Sequence, residues 1–116
     1  MNIKLFEQIY LIGIGGIGMS ALARFFLSQN KKVYGYDKLK TNLTSDLENQ
    51  GIEITYDDNV DNLPSKFTEE KDNRLVIYSS AISKNNIFSF FNEGGFSICK
   101  RAEALGSISK FYHTIA

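Results

Sequence analysis

The run GIGGIGMS, Gly13 to Ser20, constrains this chain more than any other stretch. It follows the apolar residues Ile9-Tyr10-Leu11-Ile12 and leads into Ala21-Leu22-Ala23-Arg24-Phe25-Phe26-Leu27. Strand, glycine turn and helix in that order give a G-x-G-x-x-G spacing its physical meaning. Gly13 can turn sharply, Gly15 lets backbone approach a ligand closely, and Gly18 lets the helix pack tightly on a sheet. The helix then directs unpaired N–H groups, and the positive end of its dipole, at the space above the turn. A phosphate or pyrophosphate suits that space; a tight turn with no ligand is the plainer alternative.

The rest of the chain repeats the alternation. Apolar runs predict strands over 9–14, 32–36, 52–56, 75–78 and 96–99. Helical spacing predicts helices over 17–30, 41–50 and 85–93, and a last one from Arg101 onward. Residues 57–73, with Pro64, are polar and carry no clear period. Strands alternating with helices predict βαβ units: an α/β, Rossmann-like three-layer domain around a mostly parallel five-stranded sheet. At 116 residues this is one domain.

Ligands on such sheets bind at the carboxyl edge, where strand order reverses. Gly15 to Gly18, Asp37, Ser79-Ser80-Ala81 and Lys100-Arg101 each follow a predicted strand, so they should gather there. Asp37 lies nineteen residues past Gly18, a spacing that fits a ribose acceptor as well as a surface carboxylate heading a turn. Thr41 and Thr44 offer hydroxyls, or else a helix cap and an exposed side chain. Ser79 and Ser80 offer small donors, and turn chemistry explains them equally. Asn85 and Asn86 could read a base edge, with helix capping the alternative for Asn85. Arg101 could fork onto a phosphate, or pair with Glu103.

Charge narrows the partners. Thirteen basic and thirteen acidic side chains cancel, which leaves no electrostatic footprint for general nucleic-acid binding. The lone Cys99 excludes an internal disulfide and reads as a small buried core residue. His113 has no cluster of Cys, His or carboxylate around it in sequence to suggest a metal, and no complete catalytic constellation is visible. No uncharged apolar stretch is long enough to span a bilayer, so the expectation is a soluble, cytoplasmic protein without a membrane partner.

Four segments taken together resemble the N-terminal domain of the Mur ligases, which build the stem peptide of peptidoglycan. They are YLIGIGGIGMSALA (Tyr10 to Ala23), GYDKLKTNLTSDLENQGIEI (Gly35 to Ile54), VIYSSAI (Val76 to Ile82) and KRAEALG (Lys100 to Gly106). The GIGGIGMS form favours the L-alanine-adding branch of that family. The resemblance implies that Gly15, Gly16, Ile17, Gly18, Met19 and Ser20 hold the diphosphate of UDP-N-acetylmuramate. It likewise implies that Asp37, Thr41, Ser80, Ala81, Asn86 and Arg101 surround the uridine, ribose or phosphates. It implies further that 1–107 form the UDP-sugar-binding domain and 108–116 begin the connection to an ATP-binding central domain. The whole enzyme would use ATP and magnesium to convert the lactyl carboxylate to an acyl phosphate, which the amine of L-alanine attacks. This domain would bind and orient, not catalyse.

Two departures from the family pattern are visible. Asn85-Asn86-Ile87-Phe88 stands where many relatives have Asp-Asn-Pro-Glu, and Tyr36 replaces a small residue common before the aspartate, beside the ribose pocket that the resemblance implies. No G-x-x-x-x-G-K-[ST] run occurs. The rival readings are an NAD-binding domain of a dehydrogenase and a stand-alone nucleotide-sensing module.

Overall fold

The first strand stops sooner than its apolar run suggests. In the computed structural model, which describes residues 2–80 and 85–111, β1 spans Gln8–Ile12. Gly13 then takes φ +91°, a conformation that L side chains resist, and this ends the strand. Ile14 stays fully buried inside the turn instead of extending the strand. The chain continues through α1 (Ile17–Ser28), β2 (Lys32–Tyr36), α2 (Asn42–Asn49) and β3 (Glu53–Thr55). Beyond it come α3 (Ser65–Thr68), β4 (Arg74–Tyr78), α4 (Asn86–Glu93), β5 (Ser97–Lys100) and α5 (Arg101–Phe111).

The sheet has five strands in the order β3-β2-β1-β4-β5, and every neighbouring pair is parallel. The chain winds outward from β1 to β3, then crosses back to lay β4 against the other side of β1. Strand order therefore reverses between β1 and β4. The Ser79 amide donates to Ile12 O (3.2 Å) at the carboxyl end of that pair.

Alternation along the strands feeds two apolar layers. Ile9 and Leu11 of β1 join Met19, Leu22, Ala23 and Phe26 of α1, Leu47 of α2, and Ala104 and Ile108 of α5 on one face. Tyr10, Ile12, Tyr34, Tyr36 and Val76 join Phe67 of α3 and Ile87, Phe88 and Phe91 of α4 on the other. Tyr36 therefore faces the aromatic layer and is buried, away from the glycine turn on the α1 side. Cys99 is buried in the first layer, and burial pushes its thiol up to about 12, so it stays an inert thiol.

The crossover without a legible period, 57–73, is held by one buried cation. Arg74 is 6% exposed and donates from Nε to Phe67 O (3.2 Å), from Nη2 to Lys66 O (3.0 Å) and from Nη1 to Asp72 O (3.3 Å). No carboxylate pairs with it among the described residues; three carbonyls take its donors instead. Removing the guanidinium leaves those carbonyls in a nearly dry site. We expect Arg74→Ala to lower unfolding stability by roughly 2–3 kcal/mol, measured as a shifted denaturant midpoint at unchanged slope.

Candidate functional site

An account of the amides in the glycine turn shows where an anion fits. Gly13 and Ile14 donate to Tyr36 O (2.8 and 3.0 Å), and Gly16 donates to Gly13 O (3.1 Å). The Gly15 amide donates to Asp37 Oδ2 (2.8 Å). Ser20 begins the helical ladder by donating to Gly16 O (2.8 Å). The amides of Ile17, Gly18 and Met19 find no acceptor among the described residues. Gly16, at the cap position, has no side chain to supply one.

The neighbouring helices carry side-chain caps at the same end. Thr41 and Thr44 form a reciprocal capping box on α2, with Thr44 N on Thr41 Oγ1 (3.2 Å) and Thr41 N on Thr44 Oγ1 (2.8 Å). Thr44 is fully buried with its hydroxyl on Thr41, so it is neither the exposed side chain nor the ligand-facing hydroxyl that the sequence left open. On α4, Asn85 Oδ1 accepts from Phe88 N (2.9 Å), the capping alternative. Asp58 takes the amides of Asn86 and Ile87, both at 3.0 Å. Among the described residues, α1 leaves all three of its first amides without an acceptor, whereas the cap on α2 takes the third and α4 has all three bound.

Arg101 supplies the matching side chain. It is exposed, it is the first residue of α5, and it has no ion-pair partner among the described residues. Its guanidinium lies on the first turn of α1: a Cβ placed on Gly18 would stand 2.9 Å from Nη1. Gly18 thus makes room for Arg101, whereas the sequence pointed to close packing on the sheet. The expected alternative partner, Glu103, instead turns its carboxylate to the Lys100 amide (3.2 Å). A guanidinium resting at the positive end of a helix is unfavourable unless an anion joins them.

The sequence-predicted residues divide as follows. Gly15, Gly16, Ile17, Gly18, Met19, Asp37 and Arg101 meet around the turn. Met19 offers only its amide, because its side chain is in the core. Ser20 is buried, with its amide on Gly16 O and its hydroxyl donating to Ile17 O (2.8 Å). Ser80 follows β4 and is exposed; Asn86 is exposed at the start of α4; Ala81 lies outside the described residues. Asp58, Asp61, Glu93 and Asn86 line a separate groove beside α4. Its acidic rim would repel a diphosphate.

Residues 8–113 match the family model described as Mur ligase family, catalytic domain. The chain belongs to the Mur ligase family. Among curated proteins, the UDP-N-acetylmuramate–L-alanine ligase of Cytophaga hutchinsonii is 46% identical over 99% of this chain and 25% of its own length. The enzyme of that name from Flavobacterium johnsoniae is 48% identical over 95% of this chain and 24% of its own. Among solved structures, the UDP-N-acetylmuramate–alanine ligase of Thermotoga maritima superposes with a TM-score of 0.76 at 30% identity. That superposition covers 89% of this chain and 23% of the Thermotoga chain. This Mur ligase chain therefore spans about a quarter of the length of the curated relatives it matches.

Proposed function

We propose that this chain is the substrate-binding N-terminal domain of a UDP-N-acetylmuramate–L-alanine ligase. One observation carries the reading: the open N-terminus of α1 and Arg101, without an ion-pair partner among the described residues, converge at Gly18. Three backbone donors and a guanidinium fork match the oxygens of a diphosphate, and the relatives' names supply the nucleotide sugar that would present it. Ser80 after β4, Thr41 after β2 and Asn86 at the start of α4 belong in this reading to the uridine and sugar side, together with Ala81, which lies outside the described residues. The domain binds and orients the substrate, converting part of a bimolecular encounter into a positioned one.

ATP, magnesium and L-alanine are held in this reading by parts of the enzyme beyond these 116 residues. Among the described residues, no group of three or more His, Cys, Asp or Glu side chains stands together to hold a metal ion. The reaction needs the lactyl carboxylate activated by ATP before the amine of L-alanine attacks it. The reading carries with it a cytoplasmic setting; no helix among the described residues is long and apolar enough to cross a membrane.

The test is a calorimetric titration of the chain with UDP-N-acetylmuramate, UDP and NAD in parallel. Heat from the first two and none from NAD is the expected result. NAD binding alone would overturn the reading in favour of a dinucleotide domain.

A further inference from the structure

The Gly15 amide is bound by a side chain, whereas its neighbours in the turn are bound by backbone. That side chain is anchored before it reaches the turn: the Asp37 amide donates to Thr55 O of β3 (3.1 Å). Both carboxylate oxygens are then engaged, Oδ2 by Gly15 N (2.8 Å) and Oδ1 by Leu39 N (3.1 Å). Thr44 closes the space from the α2 side. A Cβ placed on Gly15 would stand 2.7 Å from Asp37 Oδ2 and 3.1 Å from Thr44 Cγ2. Gly15 is therefore small because Asp37 occupies its flank, whereas the sequence pointed to room for a ligand.

We infer that Asp37 is a positioning residue whose carboxylate braces the glycine turn and so aims the Ile17, Gly18 and Met19 amides at the bound diphosphate. The inference rests on the diphosphate reading above and differs from the ribose-acceptor role that the spacing admits. Charge separates the two roles. A carboxylate beside an anion site repels the anion, so neutralising one that merely contacts ribose would leave inorganic pyrophosphate bound as tightly or more tightly. A brace acts in the opposite direction, because its loss lets the turn move away from the geometry the anion needs.

The experiment titrates inorganic pyrophosphate, which has no ribose, into the wild-type chain, Asp37→Ala and Asp37→Asn. Asp37→Ala should weaken pyrophosphate roughly tenfold, the size expected when a charged hydrogen bond is lost. Asp37→Asn should recover most of that loss, because its amide oxygen still accepts from Gly15 N. Equal or tighter pyrophosphate binding in a folded Asp37→Ala would overturn the inference. Amide hydrogen exchange by NMR tests the brace without ligand. Gly15 should exchange more slowly than Ile17, Gly18 and Met19 in the wild type, and should lose that protection in either variant that folds, more completely in Asp37→Ala. Unprotected Gly15 in the wild type would overturn the brace itself. Failure of the wild type to bind either pyrophosphate or UDP would instead sink the functional reading, with exchange still deciding the brace.

Discussion

Phe67→Ala should lower unfolding stability by roughly 3–5 kcal/mol, the range for emptying a buried aromatic site. Phe67 is fully buried and its ring meets four others: Tyr10 and Tyr34 at 5.6 Å, Phe91 at 5.5 Å and Phe96 at 5.9 Å between centroids. It is carried by α3, Ser65–Thr68, a single turn that has no stability of its own in water. The Phe67 ring and the Arg74 guanidinium on its carbonyls both anchor that turn to the sheet. Losing the ring opens a cavity in the α3–α4 layer and frees the crossover. A domain this size typically has about 5–15 kcal/mol in total, so the loss is a large share. Chemical denaturation followed by circular dichroism measures it. A loss under about 1 kcal/mol would mean the layer refills and Phe67 is not its centre. Affinity for inorganic pyrophosphate per folded molecule should not change, because the α1 helix that offers its amides packs on the opposite face of the sheet.

Most of the scaffold was legible because its signals are local. The apolar runs at 32–36 and 75–78 match β2 and β4 to within one residue, and the helix starts at Ile17 and Arg101 follow from glycine and strand punctuation. What the sequence concealed depends on partners distant in the chain. Nothing in residues 57–73 has a period, since a four-residue helix and a 3-10 turn at Val60–Asn62 are too short to show one. Phe67 and Arg74 can be recognised as a pair only once α3 lies over β4. Asp58 reads as a loop carboxylate until α4 presents its amides to it. The burial of Thr44 is hidden because the sequence does not reveal that Gly15 packs against it.

The candidate site shows the same division. Glycine spacing located the turn, and the order of strands located Asp37 and Arg101 at its edge. The spacing could not say what each glycine makes room for: Asp37 at Gly15, and a guanidinium at Gly18. The decisive amides, Ile17 to Met19, were legible only as a helix start. Their freedom follows from the absence of a side chain at Gly16, whereas α2 and α4 have Thr41 and Asn85 at the same position.

Arg101→Ala should weaken UDP roughly 10- to 100-fold, the span for one charge-assisted pair to a phosphate. It should move unfolding stability by no more than about 0.5 kcal/mol, as for a surface change away from any buried feature. The two outcomes separate because Arg101 has no carboxylate partner among the described residues and stands at the positive ends of both α1 and α5. A structural arginine in that position would work against two helix dipoles, so its removal should cost the free domain nothing. Arg101→Lys should fall between, keeping the charge while losing the planar fork. Added salt should narrow the gap between wild type and Arg101→Ala, since the side chain is exposed and its field is screened. Calorimetry with UDP at two ionic strengths, beside thermal melts without ligand, reads all of these effects. Undiminished UDP binding in Arg101→Ala would leave the open α1 amides as the whole of the anion site, and a large loss of stability would make Arg101 a structural residue.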